Sequence, residues 1–165
     1  MKWIVAVLAF VFISLPSFAE PQMDEKESAA IDRLTKAIAT DPTAHLYAER
    51  GQLYERNDMH DLAAKDFTEA LKLVPNDPGL LWRRGMALAE MEKYKEALAD
   101  CAQTLKRAER GDIDYMQALR IRTHCFEVLH RDQEMVADFR ELAALGDSPG
   151  AAALKRWEND HKGSK

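Results

Sequence analysis

The fold predicted by this 165-residue sequence is an all-α solenoid of stacked helix pairs. Three observations predict it. The stretch HLYAERGQLY at 45–54 returns 34 residues later as GLLWRRGMAL at 79–88, so that Arg50-Gly51 becomes Arg84-Gly85 inside one apolar frame. A fixed period of this length is the mark of stacked repeats. Apolar residues inside each unit recur at helical spacing. The chain also holds only 7 Gly and 6 Pro, which implies long elements and short connections. A hydrophobic content of 47% suffices for a packed core, and a charged content of 31% gives a solvated surface. The length suits about one domain.

The elements follow in order. Residues 1–19 have the layout of a secretory leader: Lys2, an apolar run over 3–15, then Pro16 and Ser17-Phe18-Ala19 before the expected cut. The run is shorter than the roughly 20 residues of a spanning helix. Cleavage after Ala19 would leave a secreted or periplasmic chain with no membrane segment, and loss of Lys2 takes the net charge from −5 to −6. Residues 20–43 then carry AIDRLTKAIATDP, the second helix of a half-repeat with Ala30, Leu34, Ala37 and Pro42 on its frame.

The first full unit spans 44–77. Leu46, Tyr47, Leu53 and Tyr54 make one helical stripe, and RND at 56–58 breaks it. Leu62, Ala63, Phe67, Ala70 and Leu71 make the second stripe, which Pro75 ends. Asp77 before Pro78 reads as an N-cap for the next helix. The second unit, 78–111, repeats the frame: Gly85 falls on Gly51, Ala97 on Ala63, Asp100 on Asp66 and Leu105 on Leu71. Glycine inside a helix costs about 1 kcal/mol relative to alanine. Its return therefore implies close helix packing, Gly51 against Ala63, with the stem of Arg50 laid over the pair and its head in water.

A degenerate third unit spans 112–147, with Asp138-Phe139 aligned on Asp66-Phe67 and Arg122-Thr123 on Arg50-Gly51. Four extra residues fall around RAERG and read as one more turn of the preceding helix, ended by Gly111. Arg110-Gly111-Asp112 spells an adhesion tripeptide, but its Gly and Asp are explained as cap residues. A capping helix and tail occupy 148–165, with Ser148 as N-cap and Pro149 next. The expected order is one helix, three pairs and a capping helix.

The frame Tyr47, Gly51, Tyr54, Ala63, Phe67, Ala70 and Pro75, with its period of 34, resembles the tetratricopeptide repeat, in the style of many bacterial members. The second unit keeps Leu81, Gly85, Leu88, Ala97, Cys101 and Thr104, with Glu109 where the proline would fall. The resemblance implies a right-handed α-solenoid whose first helices line a concave groove that binds a partner protein or peptide. Carried over position by position, it implies Gln52, Glu55 and Arg56 in the first repeat. It adds Trp82 and Met86, with Arg83 at the rim, in the second, and Arg120 and His124 in the third. Trp82 has two readings, a groove anchor or a cover over a neighbouring helix. The groove is favoured because Leu81 already fills the adjacent core position. Members that clamp chaperone C-terminal carboxylates use Lys and Asn where this chain has Ala48, Gln52 and Gln117, so that clamp is not expected.

Other chemistry finds little support. Cys101 and Cys125 lie on helices that neighbour in a stack, either as a disulfide, which an oxidising compartment favours, or as two separate buried thiols. There is no CxxC and no HExxH. The histidines lack converging co-ligands, so no metal is expected. No nucleophile–base arrangement or phosphate loop is present, so no catalysis and no cofactor are expected. The acidic balance argues against nucleic acid, which needs a basic face to displace counterions. The chain is expected to be a monomer or weak homo-oligomer. The alternative role is a structural assembly element that stacks on itself or on an envelope complex.

Overall fold

The computed structural model describes residues 23–161. The leader expected at 1–19 and its cut after Ala19 lie outside the described residues. Among the described residues there are eight helices and no strand: α1 (Glu25–Thr40), α2 (Ala44–Arg56), α3 (His60–Leu73), α4 (Pro78–Glu90), α5 (Tyr94–Arg107), α6 (Ile113–Val128), α7 (Asp132–Ala144) and α8 (Ser148–Asp160). Helices α2–α3, α4–α5 and α6–α7 form three pairs, α1 packs on the first pair and α8 on the last. Contacts between α3 and α4, α5 and α6, and α4 and α6 join successive pairs into one solenoid.

The two helices of a pair start differently. The first helix of each pair has a side-chain cap: Thr43 accepts from the Leu46 N–H, Asp77 from Leu80 and Asp112 from Tyr115. The second helices have none. They follow a tight reversal in which the residue after the C-cap takes a left-handed conformation: Asp58 (φ 56°), Glu92 (φ 60°) and His130 (φ 52°). In each reversal the next N–H reaches back five residues, Met59 to Tyr54 at 2.9 Å, Lys93 to Leu88 at 2.8 Å and Arg131 to Phe126 at 2.8 Å. This is the Schellman closure, which satisfies carbonyls that a helix end would leave bare. Gly146 (φ 84°) does the same after α7, with Asp147 bonded back to Leu142.

The cores are continuous from pair to pair. Phe67, Ala63, Ala70, Leu80 and Leu81 fill the first junction. Trp82, Ala97, Cys101, Ala118, Ile121 and Cys125 fill the second. The recurring glycines sit at close approaches, though Gly51 faces the Phe67 ring rather than Ala63: a Cβ there would lie 2.9 Å from Cε1. At Gly85, Ala97 and the smaller Cys101 leave 3.4 Å.

The arginine that recurs at this position of each pair, before Gly51, Gly85 and Thr123, does not hold its head in water. Arg50 forks onto Asp66 with two bonds of 2.7 Å, Arg84 forks onto Asp100 with two more, and Arg122 forks onto Asp138. Each pair is 16 residues apart, and each aspartate is only 4% exposed. Paired planar groups satisfy a buried carboxylate better than one point charge can. The constant spacing also fixes the register of the third pair.

Two terminal readings need correction. The extra turn between the second and third units is not at the end of α5, which has 14 residues like α3. It is at the start of α6, which has 16 residues against 13 in α2 and α4, because Asp112 caps the chain there. The N-cap of α8 is Asp147 rather than Ser148, since its carboxylate accepts from the Gly150 N–H at 2.7 Å.

Candidate functional site

Helix α2 turns one face toward both α1 and α4. Helical spacing puts Glu49, Gln52, Leu53, Glu55 and Arg56 along that side. With Ala30 of α1 and Arg83 of α4 they wall a cleft of ≈ 480 Å³. Four of the residues expected in the groove therefore meet here: Gln52, Glu55, Arg56 and Arg83. A volume of this size lies within the ordinary range of ligand clefts.

The electrostatics of the cleft are uneven. Arg83 lies over the Trp82 ring at 4.3 Å and places Nη1 3.4 Å from Glu55 Oε2, a long contact. The Glu55 side chain is 12% exposed, and its Oε1 is buried without a hydrogen-bond partner. Burial pushes the Glu55 carboxyl above the ordinary range, and the charge and hydrogen bond of Arg83 only partly offset this. His60 stands close enough to add a small pull in the same direction as Arg83, and its own Nδ1 is also buried without a partner. At the outer wall Arg56 meets Glu27 at 3.5 Å, and Asn57 donates to the same carboxylate at 2.9 Å. Those bonds tie α1 to the end of α2 and fix the width of the cleft.

Trp82 corrects the expectation of an exposed anchor. It is 7% exposed, packed with Ala118 and Ile121 of α6, and its Nε1–H donates to Asp114 at 2.6 Å. The cover reading holds because a buried indole needs an acceptor and α6 supplies one. Trp82 reaches the cleft only through Arg83, whose guanidinium it supports from beneath. Met86 is half-buried against the same cluster.

The remaining expected residues lie elsewhere. Arg120 pairs with Asp147, the cap of α8, and so anchors the last helix. Burial alone would raise the Asp147 carboxyl, but hydrogen bonds from Arg120 and the Gly150 N–H outweigh it and hold the group below its usual value. His124 is exposed and meets the Tyr94 ring edge-on at 6.4 Å. Cys101 and Cys125 are free thiols, both fully buried in one cluster. Burial pushes Cys125 to about 11 and Cys101 higher still, which disfavours the reactive thiolate of either. Among the described residues no group of three or more His, Cys, Asp or Glu is placed to hold a metal ion. No helix among them is long and apolar enough to cross a membrane.

Sequence reasoning missed the wall contributed by Ala30, the acidic Glu49 and the Asp114 acceptor. It also missed that Asp66, Asp100 and Asp138 are arginine partners. The constant interval of 16 was legible for those three; nothing in the sequence pointed to Asp114.

The fold is an α-helical repeat solenoid. Residues 44–77 match the family model described as the tetratricopeptide repeat, so the first helix pair is a repeat of that type. The chain is 33% identical over 89 residues to human tetratricopeptide repeat protein 13 and 30% identical over 123 residues to serine/threonine-protein phosphatase T of Aspergillus oryzae. Those matches cover 54% and 74% of this chain but only 10% and 24% of the relatives. It is 28% identical over 99 residues, 59% of this chain and 26% of the relative, to the human protein SGT1 homolog. This chain thus spans about a quarter or less of the length of the curated relatives it matches. Among solved structures, it resembles the first TPR of Spaghetti (RPAP3) bound to the HSP90 peptide SRMEEVD, with TM-score 0.63, 21% identity, and coverage of 71% of this chain and 91% of that one. It also resembles MamA MSR-1 C2, with TM-score 0.62, 20% identity, and coverage of 74% and 71%.

Proposed function

We propose that the chain is a non-catalytic interaction module that holds a partner protein or peptide against the first helices of the solenoid. The observation that carries this reading is the cleft at α1, α2 and α4, walled by Gln52, Glu55, Arg56 and Arg83. Its buried carboxylate has a free acceptor, and its guanidinium is stacked and only loosely bonded. Such a surface offers fixed polar groups to a ligand without any nucleophile–base pair to act on it. The peptide-bound neighbour has the same fold, but the positions that would clamp a C-terminal carboxylate here hold Ala48, Gln52 and Gln117.

Affinity capture tests the reading. The full chain would be compared with a Gln52→Ala, Arg56→Ala variant and with an Arg120→Ala, His124→Ala variant, each checked for unchanged helicity. A partner lost by the first variant and kept by the second supports the α2 cleft. A partner kept by both moves the site to the convex face or an end.

We also propose that the protein is secreted or periplasmic and is cut after Ala19; N-terminal sequencing of cell-made material checks this. Intact mass before and after reduction under unfolding conditions tells whether Cys101 and Cys125, free buried thiols in this structure, are joined as a disulfide in that compartment or stay two thiols.

A further inference from the structure

The groove reading leaves open what chemistry the cleft accepts. Each charge in the cleft has a different degree of satisfaction. Arg56 is matched to Glu27, and Arg83 has both its ring support and Glu55. The acidic side is less well served. Among the described residues Glu49 has only His45 at 3.8 Å, on an exposed surface. Glu55 has one long contact on Oε2, while Oε1 is buried with no donor. An unmet buried acceptor carries its full desolvation penalty until a donor arrives. Burial already pushes its carboxyl upward, as a carboxylate short of partners requires.

The walls add a second constraint. Ala30 and Leu53 line the same cleft and present apolar surface. Lysine and arginine need both kinds of neighbour, an apolar path for the methylene stem and an anionic end for the head. The chain is acidic overall, with net charge −5, so a basic partner is drawn toward it. Arg56 and Arg83 also line the cleft, but Arg56 is engaged by Glu27 and Arg83 by Trp82 and Glu55, so an acidic ligand would meet Glu49 and Glu55 as like charges and only arginines that already have partners.

We propose that the cleft receives a lysine or arginine side chain of the partner, with its stem on Ala30 and Leu53 and its head on Glu55. This rests on the groove reading above and specifies its ligand. The single contact of Arg83 on Glu55 yields to the incoming cation, while the guanidinium stays on Trp82. Glu49 then closes the outer side.

The test is selection from a random heptapeptide library displayed on phage, panned on the full chain. The expected result is a consensus with one fixed Lys or Arg. Binding of the selected peptide should fall by about tenfold or more in Glu55→Gln. It should stay unchanged in Glu141→Gln, whose carboxylate serves Arg110 at the other end. Carbon-13 NMR of the Glu55 carboxyl in the unaltered protein gives a readout that does not depend on any variant folding. The peptide should move its titration to lower pH. A fixed Asp or Glu in the consensus, with binding lost in Arg83→Gln, would overturn the proposal and leave the groove reading standing. So would a basic consensus indifferent to Glu55→Gln that leaves the titration unmoved. No enriched peptide would overturn both.

Discussion

The two recurring glycines should respond in opposite senses to the same substitution. Gly51→Ala places a Cβ 2.9 Å from Phe67 Cε1 and 3.2 Å from Cδ1 and Cζ, and that ring is 0% exposed. A ring packed on all sides cannot swing away, so the backbone or the pair spacing must give. Overpacking of this kind costs about 1–3 kcal/mol. Alanine returns about 1 kcal/mol of helix propensity, so the net change is a loss of about 1 kcal/mol. At Gly85 the nearest atoms, Ala97 O, Asp100 Cβ and Cys101 Sγ, all lie at 3.4 Å. That is ordinary contact, and the propensity gain survives, so Gly85→Ala should stabilise by up to about 1 kcal/mol. The two variants should differ by about 2 kcal/mol, read from denaturant midpoints followed by far-UV circular dichroism at constant slope. A Gly51→Ala, Phe67→Leu double variant should lose less than the sum of its singles, because the smaller side chain removes the clash. Equal midpoints for the two glycine variants would refute the argument from ring packing.

Three other outcomes follow from the same structure. Asp100→Asn strips the charge from a fork that holds Arg84 and should destabilise by about 2–3 kcal/mol, while Arg84→Met with Asp100→Leu should recover most of it in the same denaturation assay. Replacing Glu92 or His130 by glycine should stabilise by about 0.5–1 kcal/mol, since only their left-handed backbone is at issue and glycine adopts it without strain; a loss of thermal midpoint would contradict this. The carboxyl of Asp147 is held below its unfolded value, so its contribution is present above the ordinary aspartate range and is lost as pH falls through the folded value. Helix α8 should therefore detach first in acid, seen as loss of the Trp157 indole NMR signal before those of the core. Asp147→Asn should remove that pH step.

The fold was legible because its signals were redundant. The period carried Gly51 onto Gly85, and Pro75 and Asp77 marked a boundary that the helices obey. The extra residues before α6 were assigned to the wrong helix because propensity does not say which end of a loop will coil; the Asp112 cap does, and RGD offered Gly111 as a rival stop. Site residues were less legible. The resemblance to the tetratricopeptide repeat, carried over position by position, implied Gln52, Glu55 and Arg56 together on α2, and Arg83 came close by being next to Trp82. Trp82 itself was misread because adjacency to Leu81 cannot reveal that α6 presents Asp114 32 residues further on. Partners across a stack depend on how pairs dock, and the local pattern does not carry that information.

The arginine forks also look backward along the chain. Arg50 donates to Thr35 of α1 at 2.9 Å, and Arg84 reaches Thr68 of α3 at 3.4 Å, so each bonds its own pair and the helix before it. Arg122 makes no such bond to α5 among the described residues. The α5 position that corresponds to Thr68 at the period of 34 is Ala102, which has no hydroxyl to accept. Viewed as a rod, the molecule is riveted by arginine at its first two seams, and at the third by the Trp82–Asp114 bond laid over the apolar cluster around Cys101 and Cys125. Trp82→Phe should therefore loosen that seam alone, so that a bend or a pulling force releases α6–α8 as one block and exposes both thiols together.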